Sequence, residues 1–255
     1  MNILAEIVDG VLEDAAKREL PKSRIQEMIQ SSRKPINFIE SIKEKKRSVI
    51  AEIKRSSPSK GHLAEIKDPV SLARVYSEAG ACAISVLTEH RRFGGTLSDF
   101  ESVRREISIP LLRKDFLASE YLVLETRAFG ADIALLIVAA LDKIQLRDYY
   151  HLVLELGMTP LVEVHNKFEL EQAMNLDAKL IGVNARNLKT LEVNPNTYLE
   201  LLPELPDTVT AVAESGISNE AEANAAFTAG ADVILVGEAL VRSNEPALAL
   251  SNFLK

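Results

Sequence analysis

The sequence has almost no cysteine. Cys82 is the only one in 255 residues, which excludes an internal disulfide and a cysteine metal cluster. It also lacks a long apolar run: the longest, from Ile133 to Leu141, is about half of the roughly 18 residues a membrane-spanning helix needs. The start, Met1-Asn2-Ile3-Leu4-Ala5-Glu6, has no basic stretch ahead of an apolar one, so no secretory leader is expected. His62, His90, His151 and His165 show no metal-ligand spacing, so no metal is expected and the histidines receive no role. A cytoplasmic chain without a membrane segment is the expectation.

Charge is limited too, and unevenly placed. The net charge is −7, yet residues 1–60 hold 13 Lys and Arg against 9 Asp and Glu. An acidic chain with a basic first quarter is a poor nucleic-acid binder over most of its surface. A small anion held near that quarter fits the charge. The run Lys43-Glu44-Lys45-Lys46-Arg47 reads equally as a solvated helix end.

What is abundant is apolar sequence, 47% of residues, arranged as one repeated unit. Eight short β-rich runs, at 48–54, 83–87, 110–114, 133–137, 159–164, 180–184, 210–214 and 233–236, alternate with amphipathic stretches. Near-continuous apolar runs suit strands buried on both faces of a parallel sheet. The stretches end in glycine at Gly80, Gly130 and Gly230, each two or three residues ahead of a strand, as a left-handed helix terminus requires. Eight βα units with no break in composition predict an α/β fold, a (β/α)8 TIM barrel over 48–255 with an N-terminal helical extension over 1–47, the whole chain 1–255 forming one domain. An open doubly wound sheet would favour a Gly-x-Gly-x-x-Gly turn after the first strand, where this chain has Ser56-Ser57-Pro58-Ser59-Lys60-Gly61. Helices are expected at about 3–18 and 21–31, either under the barrel or over its mouth; spacing does not choose.

In such barrels the C-terminal ends of the strands carry the chemistry. Glu52 and Lys54 end the first strand on one face, Lys114 ends the third, and Glu163 ends the fifth. Asn184 ends the sixth with Arg186 two beyond, and Glu214 ends the seventh. A lone buried charge costs several kcal/mol, so six charged groups converging on one mouth must pair or bind a ligand. Glu52 or Glu214 alone reads equally as a structural ion pair. Glycines in Glu214-Ser215-Gly216 and Val236-Gly237-Glu238 follow strands seven and eight, where barrels often bind phosphate, and the loop through Ser57 and Pro58 could close over the same group. Phe93, Phe116 and Leu135 flank the mouth, with ordinary packing as open an explanation for Leu135. Cys82, at the start of the second strand, is expected to be a buried structural thiol.

The motifs Ala51-Glu52-Ile53-Lys54-Arg55-Ser56-Ser57-Pro58-Ser59, Ser85-Val86-Leu87-Thr88-Glu89, Pro110-Leu111-Leu112-Arg113-Lys114-Asp115-Phe116, Leu135-Leu136-Ile137, Gly182-Val183-Asn184-Ala185-Arg186-Asn187-Leu188 and Ala213-Glu214-Ser215-Gly216-Ile217 together resemble the indole-3-glycerol phosphate synthase family along the whole chain. The resemblance implies a cofactor-free reaction on a small phosphorylated substrate by a monomer or weak homodimer. It implies Lys114 as the general acid of ring closure, Glu163 and Glu52 as carboxylates assisting proton transfers, and Lys54 as the group holding the substrate carboxylate. It further implies Asn184, Arg186, Glu214 and Ser215 as positioning residues, Ser57, Gly216, Gly237 and Glu238 as the phosphate site, Phe93, Phe116 and Leu135 as a wall against the substrate ring, and Pro58 as a further substrate-binding residue. Glu238 departs from the family, some of whose members carry serine there. A backbone N–H contact would tolerate the change; a side-chain contact would set a carboxylate against phosphate. An isomerase of the neighbouring step would need cysteine where Lys54 stands, and a non-catalytic ligand sensor would not require Lys114.

Overall fold

A computed structural model describes residues 3–255. Eight parallel strands close into a barrel in chain order: β1 (Ser48–Ile53), β2 (Ala83–Leu87), β3 (Leu111–Lys114), β4 (Ile133–Ile137), β5 (Thr159–Val164), β6 (Leu180–Asn184), β7 (Thr210–Glu214) and β8 (Val233–Val236). Closure is made by β8 against β1, Ser48 opposite Val233 and Ala51 opposite Val236. Six of the eight expected strands agree to the residue, because burial on both faces leaves an unbroken apolar run with a sharp polar edge. The other two lose one end residue each, Lys54 and Pro110, the latter lacking the N–H a ladder needs.

Three helices precede the barrel, α1 (Ile3–Arg18), α2 (Lys22–Ser31) and α3 (Phe38–Ile42). The remainder are α4 (Pro69–Glu78), α5 (Leu97–Glu106), α6 (Glu120–Ala128), α7 (Lys143–Glu155), α8 (Lys167–Asn175), α9 (Asn196–Leu201), α10 (Glu220–Thr228), α11 (Glu238–Val241) and α12 (Pro246–Phe253). Side-chain caps start most of the outer ones: Asp68, Thr96, Ser119, Asp142, Asn166 and Asn219 each accept a first-turn N–H, worth about 1 kcal/mol apiece. None of the helices among the described residues is long and apolar enough to cross a membrane.

The Gly-Ala-Asp repeat has two functions. Its glycines take positive φ, +85° at Gly130 and +115° at Gly230, to end a helix. Its aspartates then reach back to the preceding strand: Asp132 accepts the Leu111 N–H and Asp232 the Ala211 N–H, both at 2.8 Å.

The extension uses both of the placements that spacing left open. Leu4 and Ile7 of α1 line the cavity at the barrel mouth. The segment after α2 crosses the other end, where the Phe38 N–H donates to Thr159 Oγ1 at the start of β5 and the Phe38 ring is fully buried. Arginines fasten it. Arg18 grips Glu125 of α6 with two 2.9 Å bonds, and Glu125 also meets the fully buried Arg113 at 2.9 Å. Arg33 and the Ile36 N–H reach Asp132 at 3.0 and 2.7 Å. The basic run before β1 lies at this same end, with Arg47 bonded to Asn224 and stacked over Phe227, so it supplies no charge to the mouth. Cys82 is buried beneath β2 and its thiol is pushed up to about 12 by desolvation, which leaves it unreactive.

Asp132 also holds the buried Arg104 at 2.7 Å. Asp132→Ala would strand that guanidinium, and breaking a buried pair from one side costs about 3–5 kcal/mol. Urea unfolding should show a loss of that size; a loss below about 1 kcal/mol would contradict this account.

Candidate active site at the barrel mouth

Alternation along each strand sends one residue inward and the next outward. At the end of β3 this splits two cations. Arg113 points out toward α6, where Asp115, Thr88, Thr126 and Glu125 surround it, while Lys114 points into the barrel. Lys114 Nζ lies 2.6 Å from Glu163 Oε2 and 2.9 Å from Glu214 Oε2. Across the mouth Lys54 pairs with Glu52 at 2.6 Å, as their shared face requires. These groups line a cavity of about 740 Å³.

One ammonium between two buried carboxylates cannot satisfy both equally. Burial works against a charged Lys114, but Glu163, Glu214 and Glu52 outweigh it and hold the amine well above its ordinary pKa. Burial also opposes a charged Glu163; Lys114 and His165 reverse this and hold it well below the carboxylate range. Glu214 is the loser: burial, reinforced by repulsion from Glu163, pushes it up to about 8 despite Lys114. The two carboxyl groups are thus pushed in opposite directions, Glu163 toward the ionised form and Glu214 toward the protonated one, as like residues in different surroundings are.

Backbone space makes this possible. A Cβ at Gly182 would sit 2.2 Å from Glu214 Oε1, and one at Gly237 2.3 Å from Glu52 Oε1. Gly237 thus clears room for a carboxylate in addition to the phosphate-site role expected of it. Tyr198, buried on α9, donates its hydroxyl to the Glu214 carbonyl at 2.7 Å and meets the Ser215 carbonyl as well. That contact braces a strained turn, since Ser215 has φ +70° and Gly216 +75°, and positive φ in a residue with a Cβ is stored strain.

The rim is built from loops. Glu89 is buried and accepts the N–H groups of Arg91, Arg92 and Phe93 at 2.9, 2.7 and 2.9 Å, a bend that brings Phe93 to within 6.2 Å of Phe116, ring to ring. Leu135 is buried behind them and lines the same cavity. Ser57 and Pro58 belong to a small hairpin between Ser56–Ser57 and Gly61–His62 whose tip reaches two sides of the mouth. Ser59 there accepts from Arg186 at 3.0 Å, and Lys60 meets Glu238 at 2.8 Å. Asn184 accepts the Arg186 N–H at 2.9 Å and so fixes where that guanidinium starts. All sixteen residues singled out by sequence line the one cavity.

Sequence reasoning missed several others. Lys60 lies in the loop expected to close over a phosphate but is given no role of its own there, and Leu4 and Ile7 are only part of an expected helix. Gly182 was visible as a glycine inside a strand, a sign of close approach. His165, left without a role, stands 3.3 Å from Glu163; its position two residues beyond Glu163 on the same strand face was the available signal. Among the described residues no group of three or more His, Cys, Asp or Glu is arranged to hold a metal ion.

The fold and this mouth define a (β/α)8 barrel of the kind that places acid–base chemistry at the strand ends. Similarity in backbone alone is broad: 3-hexulose-6-phosphate synthase from Salmonella typhimurium superposes with a TM-score of 0.66 at 13% identity, over 81% of this chain and 96% of that one, which speaks to fold only. Similarity in sequence is specific. The sequence model of indole-3-glycerol phosphate synthase matches residues 3–253. The proteins of that name from Micrococcus luteus and Leifsonia xyli are 48% and 49% identical, each over 99% of this chain and 97% and 98% of their own length. The chain belongs to the indole-3-glycerol phosphate synthase family.

Gly182→Ala drives a methyl into the Glu214 carboxylate. The barrel should still form, less stable by about 1–3 kcal/mol as overpacked cores are. Thermal unfolding checks this, and an unchanged midpoint would mean that Glu214 moves aside freely.

Proposed function

We propose that this chain converts 1-(2-carboxyphenylamino)-1-deoxyribulose 5-phosphate to indole-3-glycerol phosphate, a carboxy-lyase step of tryptophan biosynthesis, by ring closure, decarboxylation and dehydration. The observation that carries the reading is the single ammonium, Lys114, held charged between Glu163 and Glu214 inside a barrel whose sequence matches the family from end to end. Ring closure loads negative charge on a carbonyl oxygen. A buried ammonium stabilises that charge more than it stabilises the neutral carbonyl, which is the condition for lowering a barrier. Its raised pKa does not prevent proton delivery, because the alkoxide formed by ring closure is a far stronger base than an amine.

Decarboxylation restores the aromatic ring and asks mainly for grip. The phosphate, held by Ser57, the turn at Ser215 and Gly216, and the loop at Gly237 and Glu238, supplies orientation, while Phe93, Phe116, Leu135 and Pro58 enclose the aromatic end. Dehydration needs an acid at the departing hydroxyl and a base on the nitrogen side. In this reading Lys54, paired with Glu52, supplies the acid and Glu163 the base. Arg186 and Asn184 hold the substrate in register, and Glu214, whose burial favours the protonated form, can donate a hydrogen bond where an ionised carboxylate would repel. No step in this scheme calls on a cofactor. A substrate carrying carboxylate and phosphate does not cross a membrane unaided, so the reaction belongs in the cytoplasm, carried out by a monomer or weak homodimer.

Lys114→Ala should fold as judged by circular dichroism and lose about 10²–10³-fold or more in turnover, the scale of removing one charge-stabilising donor. A fluorescence assay for the indole product measures it, and near-parental turnover would remove Lys114 from the mechanism. Glu238 is held by Lys60 at 2.8 Å and Arg242 at 3.3 Å. Replacing its carboxylate, Glu238→Ser, removes like charge from the phosphate region and frees Lys60. One unit charge at about 4 Å in water is worth about 1 kcal/mol, so KM should fall about fivefold; an increase would show that the glutamate helps binding.

A further inference from the structure

His165 follows β5 directly, 8% exposed, with a carboxylate on each ring nitrogen. Nδ1 lies 2.9 Å from Glu169 Oε2, which also accepts the His165 backbone N–H at 2.8 Å. Glu169 is further tied by its Oε1 to the Asn166 side chain at 2.7 Å, so the ring is fixed to the first turn of α8. Nε2 lies 3.3 Å from Glu163 Oε1, off the line of a good hydrogen bond and with no other partner. Glu163 is therefore approached at both oxygens, Lys114 bonded to Oε2 at 2.6 Å and His165 Nε2 within ion-pair distance of Oε1.

Two carboxylates facing the two nitrogens of one imidazole attract it only when both nitrogens carry protons. The neutral ring would turn a lone pair toward one of them. The surroundings offer no competing charge: the turn Val138–Ala140 and the strands β4 and β6 beside β5 bear no titratable residue. Glu163 and Glu169 are the ionisable groups that act on His165, with Lys114 and Glu214 reached only through Glu163.

We propose that His165 is a positioning residue of the synthase reaction: as an imidazolium anchored by Glu169 it fixes the free oxygen of Glu163, so that the other oxygen faces Lys114 and the carboxylate stays ionised. The proposal rests on the reading of the chain as a synthase. It assigns to Glu169, outside the cavity lining, the task of aiming the ring. Burial alone would lower the pKa of the imidazole, but the two carboxylates outweigh it and carry it up to about 9. The attraction is thus fully present below the ordinary value near 6.5 and is lost as pH rises through about 9.

Two variants separate positioning from plain structure. His165→Asn keeps an amide near the Nδ1 position, for Glu169, and loses the contact to Glu163. His165→Gln places its amide near the Nε2 position, for Glu163. If His165 acts through Glu163, Asn should lower kcat about ten- to a hundredfold with KM nearly unchanged, the cost of slight misplacement, and Gln should restore most of it. The alkaline limb of kcat near pH 9 should disappear in both. Equal kcat in the Asn variant and the parent, while the parent converts its substrate, would overturn the proposal. Should the parent convert nothing, the synthase reading falls, and proton NMR titration still decides the coupling. The imidazole resonance that vanishes in His165→Asn should titrate near 9 in the parent and well below that in Glu163→Gln. An ordinary titration near 6.5 in the parent would overturn the coupling by itself.

Discussion

The Lys114 ammonium, shared by Glu163 and Glu214 at 2.6 and 2.9 Å, is the constraint on which the mouth is built. Each carboxylate is desolvated, and a desolvated charge is tolerated only with a partner in contact. Everything nearby serves that condition. Gly182 leaves space for Glu214, Tyr198 braces the turn that follows it, and His165 takes the oxygen of Glu163 that Lys114 does not. Removing the cation would leave two buried carboxyl groups with no partner to support a charge on either. The same crowding that makes the arrangement costly to fold pushes two glutamates toward opposite protonation states, the mark of a candidate functional site.

A second buried network performs a different task with the same chemistry. Arg113, Glu125 and Arg18 run from the outer face of β3 through α6 to the end of α1, and Asp132 joins Arg104 and Arg33 beneath β4. These pairs lie on the outer and lower sides of the barrel, away from the cavity. Because Arg113 and Lys114 are neighbours on one strand, a single residue step separates scaffold from chemistry. The extension, fastened by Arg18 at the end of α1, is thereby able to hold Leu4 and Ile7 over the mouth. Apolar cover excludes water, which strengthens every charge interaction below it.

The barrel was readable from sequence because its strands are buried on both faces and its helices end in glycine, and both constraints are local. The mouth residues were readable because a charge at the end of an apolar strand stands out. What stayed hidden depends on contacts between distant segments. The five-residue α3 has too few turns to show a period. The side of the barrel chosen by the extension follows from arginine pairs separated by roughly a hundred residues. Asp177 ends α8 at φ +55° in the place glycine holds elsewhere, so the repeat is more regular in space than in letters. His165 was passed over because histidines were searched for metal spacing, whereas its partners are carboxylates, one of them four residues on along a helix turn.

Glu238 shows how a departure from family pattern is absorbed. A carboxylate near the expected phosphate position would repel the ligand if it stood alone. Instead Lys60, on the hairpin after β1, and Arg242, one turn along the same helix, both reach it. The local balance is one anion against two cations, so the region stays attractive to a further anion even with the glutamate present. The pairs are partly exposed and individually weak in water, so Lys60 is held at Glu238 by little energy. The hairpin that carries Lys60 also carries Ser57 and Ser59, and Ser59 is bonded to Arg186. Charge at Glu238 is thus linked to the placement of the first loop of the barrel, and a change at either end should be felt at the other.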